Sequence, residues 1–266
     1  MAFTDNSGLY GAINEEGINL VISHLMRQRP SLFNHGTSFV GSNTRLLCAP
    51  IDIAPAVVQR NNPIITVQDP LPVLGTNPEV GFNYCFQIAK VEIDLHPGEI
   101  VLPAELTPPL AEQHFAVHAR MCAGLGCPAK DKVDVPPDPH GRSVVLPTSQ
   151  LECFCLDLFA VGHVEVTVAV TATGARRFLL GKVDGLEIVD IKPDGLESSL
   201  ECYLNAFIQL VILPRAKVEI TTLVTHVLQN LATITLVPTP SSPTVPHNPI
   251  IEDDQLKMLI NLVVSP

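Results

Sequence analysis

The chain has 266 residues, 46% apolar and only 16% charged, with a formal net charge of −11. Nucleic acid is held through clusters of Lys and Arg, and the 16 basic residues here are scattered, with Arg176-Arg177 the only adjacent pair. That excludes nucleic-acid binding and disfavours attachment to anionic membrane surfaces.

Residues 1–13 read as a leader strand or arm. They lack the basic and apolar regions of a secretory signal, so the expected location is cytoplasmic. A helix is predicted over 14–29. Asn14 can cap it, Glu15 and Glu16 suit its first turn, and Arg27 and Arg29 suit its last. Ile18, Val21, Ile22, Leu25 and Met26 form one apolar stripe, and Pro30 stops the helix. Gly17 is its weak spot, at about 1 kcal/mol against Ala.

Residues 31–79 are rich in Pro, Asn and Gly. Short strands are expected at 39–41, 44–48 and 64–67, with turns around 68–72 and 75–78. The central region then reads as strand after strand. Val80, Phe82, Tyr84, Phe86 and Ile88 alternate with smaller or polar residues, and the phase shifts to Val91, Ile93 and Leu95, as at a bulge. Phe115, Val117, Ala119 and Met121 alternate with His114, Ala116, His118 and Arg120. Val164, Val166, Val168 and Val170 alternate with Glu165 and Thr167. Residues 131–139 form a loop within this region.

A second helix is predicted over 194–213. Asp194 and Glu197 stand where a capping box has its pair, and Leu196, Leu200, Tyr203, Leu204, Phe207, Ile208 and Val211 form a wide apolar stripe. A short helix is expected at 223–228, a Pro-rich loop at 237–250, an acidic turn at Glu252-Asp253-Asp254, and a returning strand at 255–264. No apolar stretch approaches the ~20 residues of a membrane-spanning helix. The chain is read as a single domain over 1–266.

Seven cysteines, an odd number in apolar or alternating segments, read as buried free thiols of a reducing compartment. Cys122-x4-Cys127 with His114 and His118 has the residue types of a zinc site. Zinc prefers tight Cys pairs with a matching second pair, and Cys153-x-Cys155 is not one, so no metal and no cofactor is expected. His114 and His118 share one strand face, read as solvated. No Gly-x-Ser-x-Gly is present, and Ala123-Gly124-Leu125-Gly126-Cys127 lacks the Lys-Ser/Thr ending of a phosphate loop. The chain is therefore not expected to be an enzyme. An enzymatic reading would require His114, His118, Cys122 and Cys127 to converge in one cleft.

The segment Ala12-Ile13-Asn14-Glu15-Glu16-Gly17-Ile18, opening an amphipathic helix, resembles the opening of bactericidal/permeability-increasing-like (TULIP) domains. The late second helix, followed by a Pro-containing loop and strands, is also similar to that layout. The resemblance implies an α+β, β-rich fold in which a highly curved antiparallel sheet packs around two long amphipathic helices and encloses a lipid cavity. Secreted members carry a signal peptide and a disulfide, and the sequence suggests neither, which points away from extracellular host defence.

The expected function is non-enzymatic binding of a lipid or other apolar ligand between helices and curved sheet. Its apolar lining would be Val21, Leu25, Met26, Leu204, Phe207, Ile208 and Val211. The alternative is a structural or assembly subunit, of the kind found beside toxin clusters. It would form a homo-oligomer or bind a partner protein through apolar arms such as 71–74 or 250–251.

Overall fold

The computed structural model describes residues 7–72, 81–126, 151–171, 174–189, 206, 218–219 and 234–264. Strand β1 (Leu9–Asn14) runs into helix α1 (Glu15–Gln28). The Asn14 side chain accepts the Gly17 N–H at 2.9 Å, as an N-cap does. This gives Gly17 a purpose, because a Cβ there would stand 2.6 Å from the capping oxygen. Pro30 ends α1 and opens a short 3-10 turn.

After β2 (Asn34–Thr37) the chain forms α2 (Ser38–Gly41) and a 3-10 turn at Thr44–Leu46. These are helical turns where the β-branched and aromatic residues predict strands. Local polar bonds override propensity here. The Ser42 hydroxyl donates to the Phe39 carbonyl, and Asn43 Oδ1 accepts the Arg45 N–H. Helix α3 (Pro55–Gln59) and strands β3 (Thr66–Gln68) and β4 (Leu71–Pro72) follow. Then come the long strands β5 (Gly81–Leu95), β6 (His114–Gly126), β7 (Glu152–Thr171) and β8 (Gly174–Val189). The remaining strands are β9 (Val218–Glu219), β10 (Ile234–Pro238), β11 (Ile250–Glu252) and β12 (Gln255–Val264).

The strands make two open sheets. The smaller is antiparallel, in the order β1-β12-β10 with β11 also on β12. The larger runs β3-β2-β5-β6-β7-β8-β9 with β4 on β5, and is mixed because β2 and β3 are parallel. This corrects the expected fold. Among the described residues neither sheet closes, and neither forms a highly curved wall around two long helices. Among the described residues only α1 is a helix of more than five residues. Of the helix expected at 194–213, Ala206 alone is described, in helical conformation and exposed. The expected helix at 223–228 lies outside the described residues. The described residues form an α+β fold with a few helices and two open sheets, one antiparallel and one mixed.

The chain divides into two compact units. One comprises Met1–Asn19, Glu92–His118 and Leu158–Pro266, and its core holds Leu106, Ala116 and Val161. In this unit Asp94 is fully buried, and its carboxylate accepts the N–H groups of Glu99 and Ile100, pinning the turn after β5. The acidic turn joins β11 to β12 as a hairpin, with Asp253 and Asp254 both at positive φ, the geometry such two-residue turns need. Lys257 is 5% exposed and bridges to Glu252 and Asp253 at 3.0 and 3.3 Å. Burial alone would lower its pKa, but the hydrogen bonds and charges of those two carboxylates outweigh it, and the net shift is upward.

The other unit comprises Leu20–Val91 and Ala119–Asp157, and packs around Val40, Ile65 and Cys85. It contains two disulfides, Cys48–Cys153 and Cys122–Cys155, and a buried free thiol, Cys85. The reading of all cysteines as free thiols is thereby corrected. Cys48 and Cys153 are 105 residues apart in sequence, and only the fold brings them together.

Candidate functional site

The buried face of β5 carries Asn83, Cys85 and Gln87, whereas Phe82 on the opposite face is exposed. Amide hydrogen bonds make this polar face burial-tolerant. Thr37 donates to Asn83 Oδ1, and Gln87 Nε2 donates to Asn34 Oδ1 and to the Ala49 carbonyl. Asn34 in turn donates to the Pro30 carbonyl at 2.7 Å, and the Ala49 N–H returns to Gln87 Oε1 at 2.9 Å. Buried polar groups are stable when satisfied in this way.

The network braces a cavity of about 290 Å³ between the end of α1, the segment around Ile51 and the middle of β5. Met26, Phe33, Ile51, Ile88 and Val91 supply its apolar wall, and Arg27, Asp52 and Lys90 its charges. The rim is held by two ties. The Ala54 N–H donates to the Arg27 carbonyl at 3.1 Å, and Arg27 Nε meets Asp52 Oδ2 at 2.8 Å.

Of the seven residues expected to line a ligand site, Met26 lines this cavity and is half-buried. Val21 and Leu25 do not line it and are 61% and 44% exposed, beside an equally bare Leu20. No residue of α1 is fully buried. Leu204, Phe207, Ile208 and Val211 lie outside the described residues. Phe33, Ile51, Ile88 and Val91 were not foreseen. The phase shift between Ile88 and Val91 was the one signal that pointed near them.

The His and Cys candidates part company. Cys122 is tied to Cys155, so it is neither a thiolate ligand nor a nucleophile. Cys127 lies outside the described residues. The face carrying His114 and His118 is not simply solvated, because Ala116 between them is fully buried. His118 stacks on Phe159 with ring centroids 4.6 Å apart and lies 3.8 Å from a Glu92 oxygen. His114 instead meets His163 of β7 and Asp184 of β8, beside a second cavity of about 370 Å³. Among the described residues, this is the group of His, Cys and acidic side chains whose ligand atoms converge closely enough to hold a metal ion.

Burial raises the pKa of three other groups. It is the leading cause for the Cys85 thiol and for the Tyr84 phenol, the latter reinforced by Asp69. The Glu15 carboxyl is raised by burial and by Asp94, against a hydrogen bond from the Leu95 N–H.

No family model and no curated relative matches the sequence. A crystal structure of lipopolysaccharide binding protein is similar at TM-score 0.30 and 11% identity, over 97% of this chain and 41% of that one. This likeness is weak. The chain spans well under half the length of that protein. No helix among the described residues is long and apolar enough to cross a membrane.

Proposed function

We propose that the chain acts without catalysis by binding an apolar ligand of about single-chain size in the cavity at the end of α1. One observation carries this reading: a preformed hollow of about 290 Å³, walled by Met26, Phe33, Ile51, Ile88 and Val91. Ligand pockets run from ~300 to 1,000 Å³ and combine apolar walls with few polar groups. This cavity is at the small end, which suits a short acyl chain or the tip of a longer one. A longer chain would continue over the exposed Leu20, Val21 and Leu25. Arg27 and Lys90 against Asp52 leave the wall with one net positive charge, which suits a carboxylate end. The two disulfides support action in an oxidising compartment.

Native mass spectrometry of the purified chain, before and after organic extraction, tests the reading. The expected result is a mass above the 28.7 kDa of the chain that falls to it on extraction. An identical mass before and after, carried by an oligomer, contradicts it.

The assembly reading has one observation in its favour. Leu32, Val58, Val67 and Leu71 are all exposed within the same unit, and Val67 stands on β3, which is a sheet edge among the described residues and the kind of edge that can pair with another chain. Of the arms expected to carry such contacts, Leu71 is exposed and Ile251 is buried.

A further inference from the structure

We propose that His114, His163 and Asp184 form a binding site for one divalent transition-metal ion of the zinc class. Three neighbouring strands, β6, β7 and β8, each contribute one residue, and all three residues belong to the same compact unit. Their ligand atoms lie within 4.8 Å of one another. Asp184 Oδ2 is 2.7 Å from His163 Nδ1 and 3.7 Å from His114 Nε2.

The orientation of His114 is the second, independent observation. Its Nδ1 lies 2.8 Å from the Glu112 carbonyl oxygen. A carbonyl only accepts, so Nδ1 carries the proton, and Nε2 of the neutral ring is a bare lone pair. That lone pair faces a carboxylate oxygen, which is also an acceptor. Two acceptors so placed are reconciled by a positive centre between them, either a proton on the ring or a metal ion. A ligating histidine commonly donates its other N–H to a backbone carbonyl, an arrangement that fixes tautomer and ring direction.

The distances suit the ion. With zinc bonds of about 2.0–2.2 Å in a tetrahedron, neighbouring ligand atoms stand about 3.3–3.5 Å apart. The observed 2.7 and 3.7 Å bracket that spacing, and with all three ligand atoms within 4.8 Å of one another, side-chain shifts of about 1 Å complete the geometry. On binding, the ion takes the place of the His163 Nδ1 proton that now faces Asp184, and the neutral ring carries its single proton on Nε2 instead. Two imidazoles and one carboxylate select zinc, cobalt, nickel or copper over calcium or magnesium, which favour all-oxygen sets.

A fourth ligand would enter from the adjoining cavity. His114 and His163 border the cavity of about 370 Å³, with His247 and Glu165 also in its wall. A water or an incoming ligand atom can occupy it, as in zinc sites with three protein ligands. Lys182, the nearby cation on β8, is engaged with Glu165 at 2.9 Å. Spacing along the chain offers His114 cysteines as nearby metal ligands, whereas its partners His163 and Asp184 lie on the adjacent strands.

The test is calorimetric titration of the chelator-treated full chain with Zn²⁺ alone. The expected result is uptake of one ion, weakened at least about tenfold by Asp184→Asn and by His163→Ala, and unchanged by His24→Ala on α1. Asp184→Asn is near-isosteric and keeps an acceptor for His163, so the fold should persist. The unaltered chain gives a second readout free of any mutation, the visible absorption of Co²⁺. The intense bands of a four-coordinate site support the proposal, and the weak spectrum of the hydrated ion overturns it. Absence of Zn²⁺ uptake, or uptake indifferent to both variants, also overturns it. The site and the α1 cavity lie in different units, so failure of one leaves the other standing.

Discussion

If the α1 cavity holds an apolar chain, affinity should climb with ligand length and then level off, and the structure sets where. Filling an apolar hollow is worth about 24 cal/mol per Å³. For 290 Å³ that gives an upper bound of about 7 kcal/mol, corresponding to a Kd of about 10 μM. Each methylene contributes about 0.8 kcal/mol, or about fourfold in affinity, so roughly nine methylenes exhaust the cavity. Beyond that length further gain must come from the exposed α1 face, and the slope should drop. Met26→Ala removes part of the wall. A fully buried Met→Ala change costs about 2–5 kcal/mol, and for a half-buried Met about 1–1.5 kcal/mol is expected, or about five- to thirteenfold weaker binding. The chain has no Trp, so the assay is calorimetry or displacement of a fluorescent chain probe by straight-chain carboxylates of increasing length. Leu262→Ala, on β12 of the other unit, should change nothing. Affinity independent of chain length, or equal in Met26→Ala and the unaltered chain, would refute the reasoning.

Three further outcomes follow from the packing. Gly124→Ala places a Cβ 2.6 Å from Cys48 Sγ and within 3.2 Å of both Cys153 and Cys85 sulfurs. Overpacking of this kind costs about 1–3 kcal/mol, visible as a lower urea midpoint. Cys85 is buried with its thiol pKa raised, so in the native chain it should resist alkylation and be labelled only after unfolding, as read by peptide mass mapping. The pH dependence has a definite sign at each end. Lys257, with its pKa raised, adds stability that is fully present below the ordinary lysine value and is lost as pH rises through the folded value. Glu15 also has a raised pKa. The folded state therefore holds its proton more tightly, and stability falls as pH rises from the ordinary carboxylate value through the folded one. Glu15→Gln should flatten that acid-side slope in urea midpoints measured against pH.

Local signals in the sequence were readable where short-range chemistry decides structure. The Asn14 cap, the charge order of α1 and its stop at Pro30 all depend on neighbours within four residues, and so does the strand alternation of β6 and β7. Burial was less readable. Alternation shows that a strand has two faces and not which one is covered. On β5 the covered face is Asn83, Cys85 and Gln87, because Asn34 and Thr37 meet their amides there. The stripe on α1 implied a packed helix, yet Val21 and Leu25 remain exposed. Long-range pairing left no local trace. Neither Cys48 with Cys153 nor His114 with His163 and Asp184 can be found by spacing along the chain, because strand order decides both.

The central claim is that the apolar ligand sits against Met26. The chain has four methionines, at positions 1, 26, 121 and 258, so methyl-labelled methionine gives four resolvable NMR signals. Titration with a straight-chain carboxylate should move the Met26 methyl and leave that of Met258, on β12 in the other unit, in place. A Met26 signal that stays put while the ligand binds would contradict the account.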